Sequence, residues 1–233
     1  MSDQQAAEDL RRVMVIAAHP DDPEFGCAAT IAKWATAGRE ITYLLLTSGD
    51  KGCHDREIRP GQIAGRREEE QRAAAAVLGV QEVVYLNYPD GMLESTLELR
   101  RRLSLIIRER QPQIVLAIDP FRRYQLHPDH RAAGQAALDA VWSAREWYLF
   151  PEQLVGEREP WRVTEAYLFW PEAPDYWEDV TETVDKRVEA LRCHASQIGN
   201  RADKLEERVR EGLRSTAKDH GLDYAEAFKK IKF

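Results

Sequence analysis

A chain of 233 residues, 43% of them hydrophobic, can bury one sizeable core and fits a single α/β domain spanning residues 1–233. Its net charge of −7, with acids and bases interleaved, disfavours nonspecific nucleic-acid binding, which needs a basic face. No apolar run approaches the ~20 residues that span a bilayer, the start MSDQQAAEDLRR lacks the apolar core of an export signal, and Cys27, Cys53 and Cys193 are too scattered for a disulfide framework, so a cytoplasmic protein is expected.

Residues 1–11 read as a loose arm. The run Val13 to Ala18 suits a strand buried on both faces, and it ends in His19, Asp21, Asp22 and Glu24. Pro20 and Pro23 forbid a smooth continuation, so this is a stiff loop. Cys27 to Ala37 reads as a helix stopped by Gly38, and Glu40 to Thr47 as a second buried strand. The turn-rich loop 48–52 should share the sheet edge of His19, which puts Asp50 or Lys51 within reach of a ligand or leaves them as turn residues. Residues 53–65 read as a mobile loop, with His54 a conceivable further ligand. Arg66 to Leu78 is a helix ended by Gly79, Glu82 to Leu86 a third strand, and Asp90 stands in an Asp-Gly turn.

Leu97 to Arg110 is amphipathic, with Leu99, Leu103, Ile106 and Ile107 on one stripe and a basic face that reads as solvated. Gln113 to Ile118 is the fourth strand, followed by the lead-in 119–126 and by His127-Pro128-Asp129-His130. A helix is expected from Arg131 to Trp147. The aromatic stretch 147–151 either walls a pocket or packs in the core. Glu165 to Trp170 reads as a further strand, a helix should start at Thr181 and run to about Ile198, and residues 200–233 read as a helical tail. Alternating strands and helices predict a doubly wound, mostly parallel sheet of about five strands. His-Pro-Asp-Asp stands where a dinucleotide fingerprint would begin, so no nicotinamide or flavin cofactor is expected.

Ligands of open α/β sheets bind at the carboxyl ends of the strands, where both histidine-aspartate clusters fall. A lone His-x-x-Asp means little, and an Asp-Asp pair after a strand can simply cap a helix. Two such clusters, each after an apolar run, point to one divalent metal. Imidazole with carboxylate favours zinc, with iron, manganese or cobalt as alternatives. On the residues alone, Asp21 and Asp22 can exchange the roles of ligand and free base.

Ala18-His19-Pro20-Asp21-Asp22, with Glu24 one step later than usual, and His127-Pro128-Asp129-His130 resemble the two motifs of the PIG-L/LmbE family of zinc-dependent deacetylases. Arg67-x-x-Glu70, followed by Ala74 and Leu78-Gly79, is similar to the family's helix motif. The resemblance spans roughly residues 12 to 200. It implies a Rossmann-like, LmbE-like three-layer fold and removal of an N-acetyl group from an N-acetylglucosamine-type sugar through a zinc-activated water. It assigns His19, Asp22 and His130 to the metal, with Fe2+ an alternative to Zn2+. Asp21 becomes the base, and Arg67 and Asp90 contact the sugar. His127 would stabilise the oxyanion or protonate the leaving amine, with Asp129 orienting it and raising its pKa. Gln125 stands where some relatives have a tyrosine, and Tyr124 is adjacent.

Two other readings compete. An amidase of the same family would cleave a different amide conjugate, and a Rossmann-like binding module would have no catalysis. The expected partner is a small N-acetylated sugar, and the sequence is compatible with a homo-oligomer.

Overall fold

The computed structural model describes residues 10–53, 55 and 57–233. Most of the expected N-terminal arm, and His54, therefore lie outside the described residues. The strands are β1 (Arg12–Ala17), β2 (Glu40–Thr47), β3 (Glu82–Tyr88), β4 (Ile114–Ile118), β5 (Glu165–Phe169), β6 (Tyr176–Asp179) and β7 (Ala225–Lys232). They form one sheet in the order β3-β2-β1-β4-β5-β7-β6. β1 to β5 are parallel, and β7 runs antiparallel between β5 and β6.

The helices are α1 (Asp22–Gly26), α2 (Ala28–Thr36), α3 (Pro60–Leu78), α4 (Leu97–Arg110), α5 (Pro128–Ala144), α6 (Val184–Cys193), α7 (Ala195–Ile198) and α8 (Leu205–Ala217). α2, α3 and α6 pack together, as do α4 and α5. Right-handed crossovers place these two groups on opposite faces, giving three layers. Val13 to Ala17 and all of β4 are buried because helices cover both faces, which is why these strands read as unbroken apolar runs. α5 lies so close to β4 that a Cβ on Gly134 would stand 2.2 Å from the carbonyl oxygen of Ile118. After β1 the chain winds toward β3; after β4 it winds the opposite way. The crevice between their carboxyl ends is therefore the topological switch point, the usual ligand site of such sheets.

The sheet has seven strands rather than about five, and the tail is only partly helical. α8 is a helix, but Ala225–Lys232 is a strand. Its lysines disguise it in the sequence. In the sheet Ala225 and Phe228 are buried, while Lys229 and Lys230 pair with Asp175 and Glu165. α3 begins at Pro60, six residues before the expected Arg66, because proline suits a first helical turn and the Gln62 side chain accepts from the Arg59 amide. α5 begins at Pro128 for the same reason, so the second motif is itself a helix start. The helix expected over 181–198 breaks at His194.

Arg108 does not join a solvated basic face. It is buried and donates to the carbonyls of Ser143, Ala144, Glu146, Leu149 and Phe150, tying the end of α5 and the aromatic stretch to α4. Among the described residues no helix is long and apolar enough to cross a membrane.

Candidate active site

The first loop folds back on itself immediately after β1. The His19 amide donates to Asp22 Oδ2 at 2.8 Å, and the Asp22 amide to the His19 carbonyl at 3.3 Å. Asp21 sits between them with φ at +88°, a left-handed conformation that costs a non-glycine residue about 1–3 kcal/mol. Such strain persists only when neighbours over-determine it, and here they do. Gln71 of α3 accepts from the Asp21 amide at 2.9 Å, and Arg67 donates to the Pro20 carbonyl at 2.6 Å.

Arg67 also donates to the Gly49 carbonyl at 3.1 Å and lies 3.4 Å from Asp21 Oδ1. A Cβ at position 49 or 52 would stand 2.2 or 2.3 Å from the guanidinium and displace it, and Gly49 also has φ at +63°. The turn-rich loop 48–52 thus makes room for the arginine that clamps the loop after β1. Arg67 lines the pocket, but much of its hydrogen bonding is committed to backbone.

The second motif meets the first at the start of α5. The rings of His127 and His130 stack at 4.4 Å, and those centroids lie 4.8 and 5.3 Å from that of His19. A nitrogen of each of the three rings lies within 4.8 Å of the other two. Asp22 bridges the loops, with Oδ1 3.1 Å from His130 Nε2 and Oδ2 3.5 Å from His19 Nδ1. On its other side His19 Nε2 lies 3.0 Å from Asp129 and 3.1 Å from Asp90.

Asp129 does not orient His127 through a hydrogen bond among the described residues. It stands in the first turn of α5, is fully buried, and accepts from the amides of Gly91 and Leu93 and from His19. Its place is behind His19. The Asp90 carboxylate accepts from the Lys51 amide at 3.0 Å, and Asp50 accepts from the Asp90 amide, so Asp50 is a brace. Lys51 and Trp170 line the pocket, while the aromatic stretch 147–151 does not. Neither Tyr124, which is exposed, nor Gln125 lines it.

The electrostatics follow from burial and from the crowd of carboxylates. Burial raises the Asp21 carboxyl to about 7, the nearby Arg67 pulling it down and Asp22 pushing it up. Burial would raise Asp22 too, but hydrogen bonds from His130 and His19 hold it far below the usual range. Burial alone would lower His19; its contacts with Asp129, Asp22 and Asp90 overcome this and raise it to about 11. Desolvation opposes the ionised Asp90, yet the hydrogen bond from His19 holds it at about 2. His127 is lowered, by burial first and then by His19 and His130; Asp129 raises it, as expected, but by less than these.

The donor chemistry fits a divalent cation. Asp22, Asp90 and Asp129 converge on His19, and Asp22 also reaches His130, a concentration of negative charge around the imidazoles that a divalent cation would offset. A metal-ligating histidine commonly gives its second nitrogen to a carboxylate, as His19 Nε2 gives to Asp129. Nitrogen and oxygen donors without cysteine are compatible with zinc or iron.

Sequence reading marked Glu24 but missed the rest of the layer behind this loop. Glu24 is fully buried; it accepts from Gln71 Nε2 at 2.9 Å and lies 3.1 Å from His194 Nε2. His194, Glu24 and Gln71 form a chain that ends on the strained Asp21 amide. Glu70 accepts from the backbone amide and hydroxyl of Ser196 and from Arg66. Nothing around His194 marks it, because it stands alone after a helix and meets Glu24 only across the fold.

The pocket over these groups has a volume of about 730 Å3 and is walled by Phe25, Lys51, Gly52, Gly91, Trp170 and Gln197. A family described as PIG-L, GlcNAc-PI de-N-acetylase, matches residues 14–141. The diacetylchitobiose deacetylase of Thermococcus kodakarensis is 34% identical over 190 residues, covering 82% of this chain and 71% of that protein. The probable N-acetyl-alpha-D-glucosaminyl L-malate deacetylase 2 of Bacillus anthracis is 30% identical over 218 residues, covering 88% of this chain and 90% of its own. The structure of N,N'-diacetylchitobiose deacetylase from Pyrococcus horikoshii, complexed with its inhibitor MPG, superposes with a TM-score of 0.91 at 30% identity, over 100% of this chain and 88% of that one. With more than half of its length matched and both histidine-aspartate loops meeting at the switch point, this chain belongs to the PIG-L family.

Proposed function

We propose that this chain hydrolyses the acetamide of an N-acetylglucosamine-type sugar, releasing acetate and a free amine, with a divalent cation held by His19, Asp22 and His130. One observation carries the reading: Asp22 joins His19 to His130, while its neighbour Asp21, held in a left-handed backbone, lines the same pocket and among the described residues pairs with neither imidazole; burial pushes its carboxyl up to about 7. A general base works best when its pKa lies near the operating pH. Deacetylases among the relatives support the substrate class, and the nitrogen and oxygen donors fit zinc or iron as the metal.

Bound there, the cation supplies Lewis acidity, lowering the pKa of water and polarising a carbonyl. Asp21 accepts a proton from the attacking water as its oxygen bonds to the acetamide carbon. It then passes that proton to the sugar nitrogen as the C–N bond breaks. His127, whose pKa burial and its imidazole neighbours lower, donates a ring N–H to the developing oxyanion. Asp129 and Asp90 hold His19 from behind. The edge of Asp90 that faces the pocket, with Arg67 and Lys51, binds sugar hydroxyls.

The test is a mass-spectrometric screen of metal-loaded protein against N-acetyl sugars, scored by loss of one acetyl group. Asp21→Asn should retain metal and lose turnover by about 10²–10⁴, the range of general-base catalysis. Wild-type turnover in that variant would remove Asp21 as the base.

A further inference from the structure

A second cavity, of about 700 Å3, adjoins the catalytic pocket, and Phe25 and Trp170 line both. The Trp170 indole N–H donates to the Phe25 carbonyl at 3.3 Å, so the two residues form a sill between the spaces. On the catalytic side the indole lies 5.5 Å from the His130 ring. On the far side the floor is apolar, made by Trp177, Leu205, Val209 and Leu213, and His220 stacks on Trp177 at 3.8 Å.

The charge of this groove runs against that of the chain. The whole protein carries −7, yet the lining has Arg187, Arg201, Arg208 and Lys218 against a single acid, Glu226. Glu226 is buried, already pairs with Arg187 at 2.6 Å, and accepts from the amides of Ala29 and Thr30. Arg201 is bound to the carbonyls of Gln197 and Ile198. Among the described residues Arg208 and Lys218 have neither a salt bridge nor a side-chain hydrogen bond. Neighbouring Arg192, Arg210 and Arg214 all have partners. Arg208 and Lys218 are exposed at the rim of the groove, so two uncommitted cations stand above an aromatic floor one sill away from the catalytic pocket, an arrangement that suits the far end of a substrate.

We infer that the groove between α8 and the segment 170–177 is a distal subsite, taking an anionic aglycone whose apolar spacer lies on Trp177 and whose carboxylate or phosphate meets Arg208 and Lys218. This rests on the proposed deacetylation and narrows it to sugars that carry a negatively charged remote group.

The experiment compares alkyl N-acetylglucosaminides of graded chain length ending in a methyl group, a carboxylate or a phosphate. Deacetylation is measured by wild type and by an Arg208→Ala/Lys218→Ala variant, and hexyl phosphate binding to the same proteins is followed by calorimetry. At low salt the acidic glycosides should exceed the neutral one in kcat/KM by about tenfold at one chain length. The ratio should fall to about one in the variant, and hexyl phosphate should bind wild type only. The carboxylate and phosphate arms identify which anion is preferred. A ratio near one in wild type, or an advantage or phosphate binding that survives in the variant, would overturn the subsite. Hexyl phosphate binding lost in the variant, with no glycoside deacetylated, would keep the subsite and sink the deacetylase reading. Sedimentation showing a dimer dissociated by Arg208→Glu would give the groove to a second copy of the chain and also overturn it.

Discussion

The buried pair of His194 and Glu24 offers the sharpest test of how the site is held. Both side chains are fully excluded from solvent and lie 3.1 Å apart. Burial alone would lower the imidazole, but its hydrogen bond to Glu24 raises it above its ordinary value. Replacing His194 with alanine leaves Glu24 buried without the imidazole, with the Gln71 amide and the Tyr43 hydroxyl as its side-chain neighbours among the described residues. Removing one member of a buried pair costs about 3–5 kcal/mol, against about 0–1 kcal/mol for an exposed pair. For a chain of this size 1 kcal/mol shifts Tm by about 2–4 °C, so the expected loss is about 6–20 °C.

The sign with pH follows from the raised imidazole. The stabilisation is complete below the unfolded histidine pKa and declines as pH rises through the folded value. The gap between wild type and variant should therefore be widest in mildly acidic buffer. Urea denaturation across pH, followed by tryptophan fluorescence, measures it. A loss below about 1 kcal/mol, or a gap that widens with pH, would refute the buried-pair account. The variant Glu24→Leu/His194→Leu should recover part of the loss, since it removes both buried polar groups together.

Two further predictions concern the chemistry. If Asp21 is the base, kcat/KM should rise with pH along an acid limb set by loss of the Asp21 proton, the bound cation pulling that limb below the value of about 7 that burial gives the carboxyl, and the limb should vanish in Asp21→Asn. His130→Ala should lose stoichiometric metal, read by elemental analysis after dialysis, while retaining its circular dichroism spectrum; full metal occupancy in that variant would move the ligand set to the His19, Asp90 and Asp129 face.

Most of the frame was legible along the chain. Val13 to Ala18 and Gln113 to Ile118 read as buried strands because helices cover both faces, and α4 read from Leu97 to Arg110 because its buried stripe repeats at the helical period. The two metal-type loops were visible because each packs its ligands within four residues, behind prolines that stop the preceding element. β7 was hidden because its lysines match a solvated helix and its partners lie in distant β5 and β6.

The residue types at the site, and the family they resemble, were thus set by local order in the sequence. Which atoms face which was decided only by the fold: Asp129 turned to His19 rather than His127, Arg67 was drawn onto backbone carbonyls, and His194 and Glu24 were brought together under Asp21. The physical reason is range. Strand runs, helix stripes and motif spacing are set by neighbours a few residues apart, whereas burial, ion pairing and a carboxyl shifted to about 7 depend on groups that meet only after the sheet has closed.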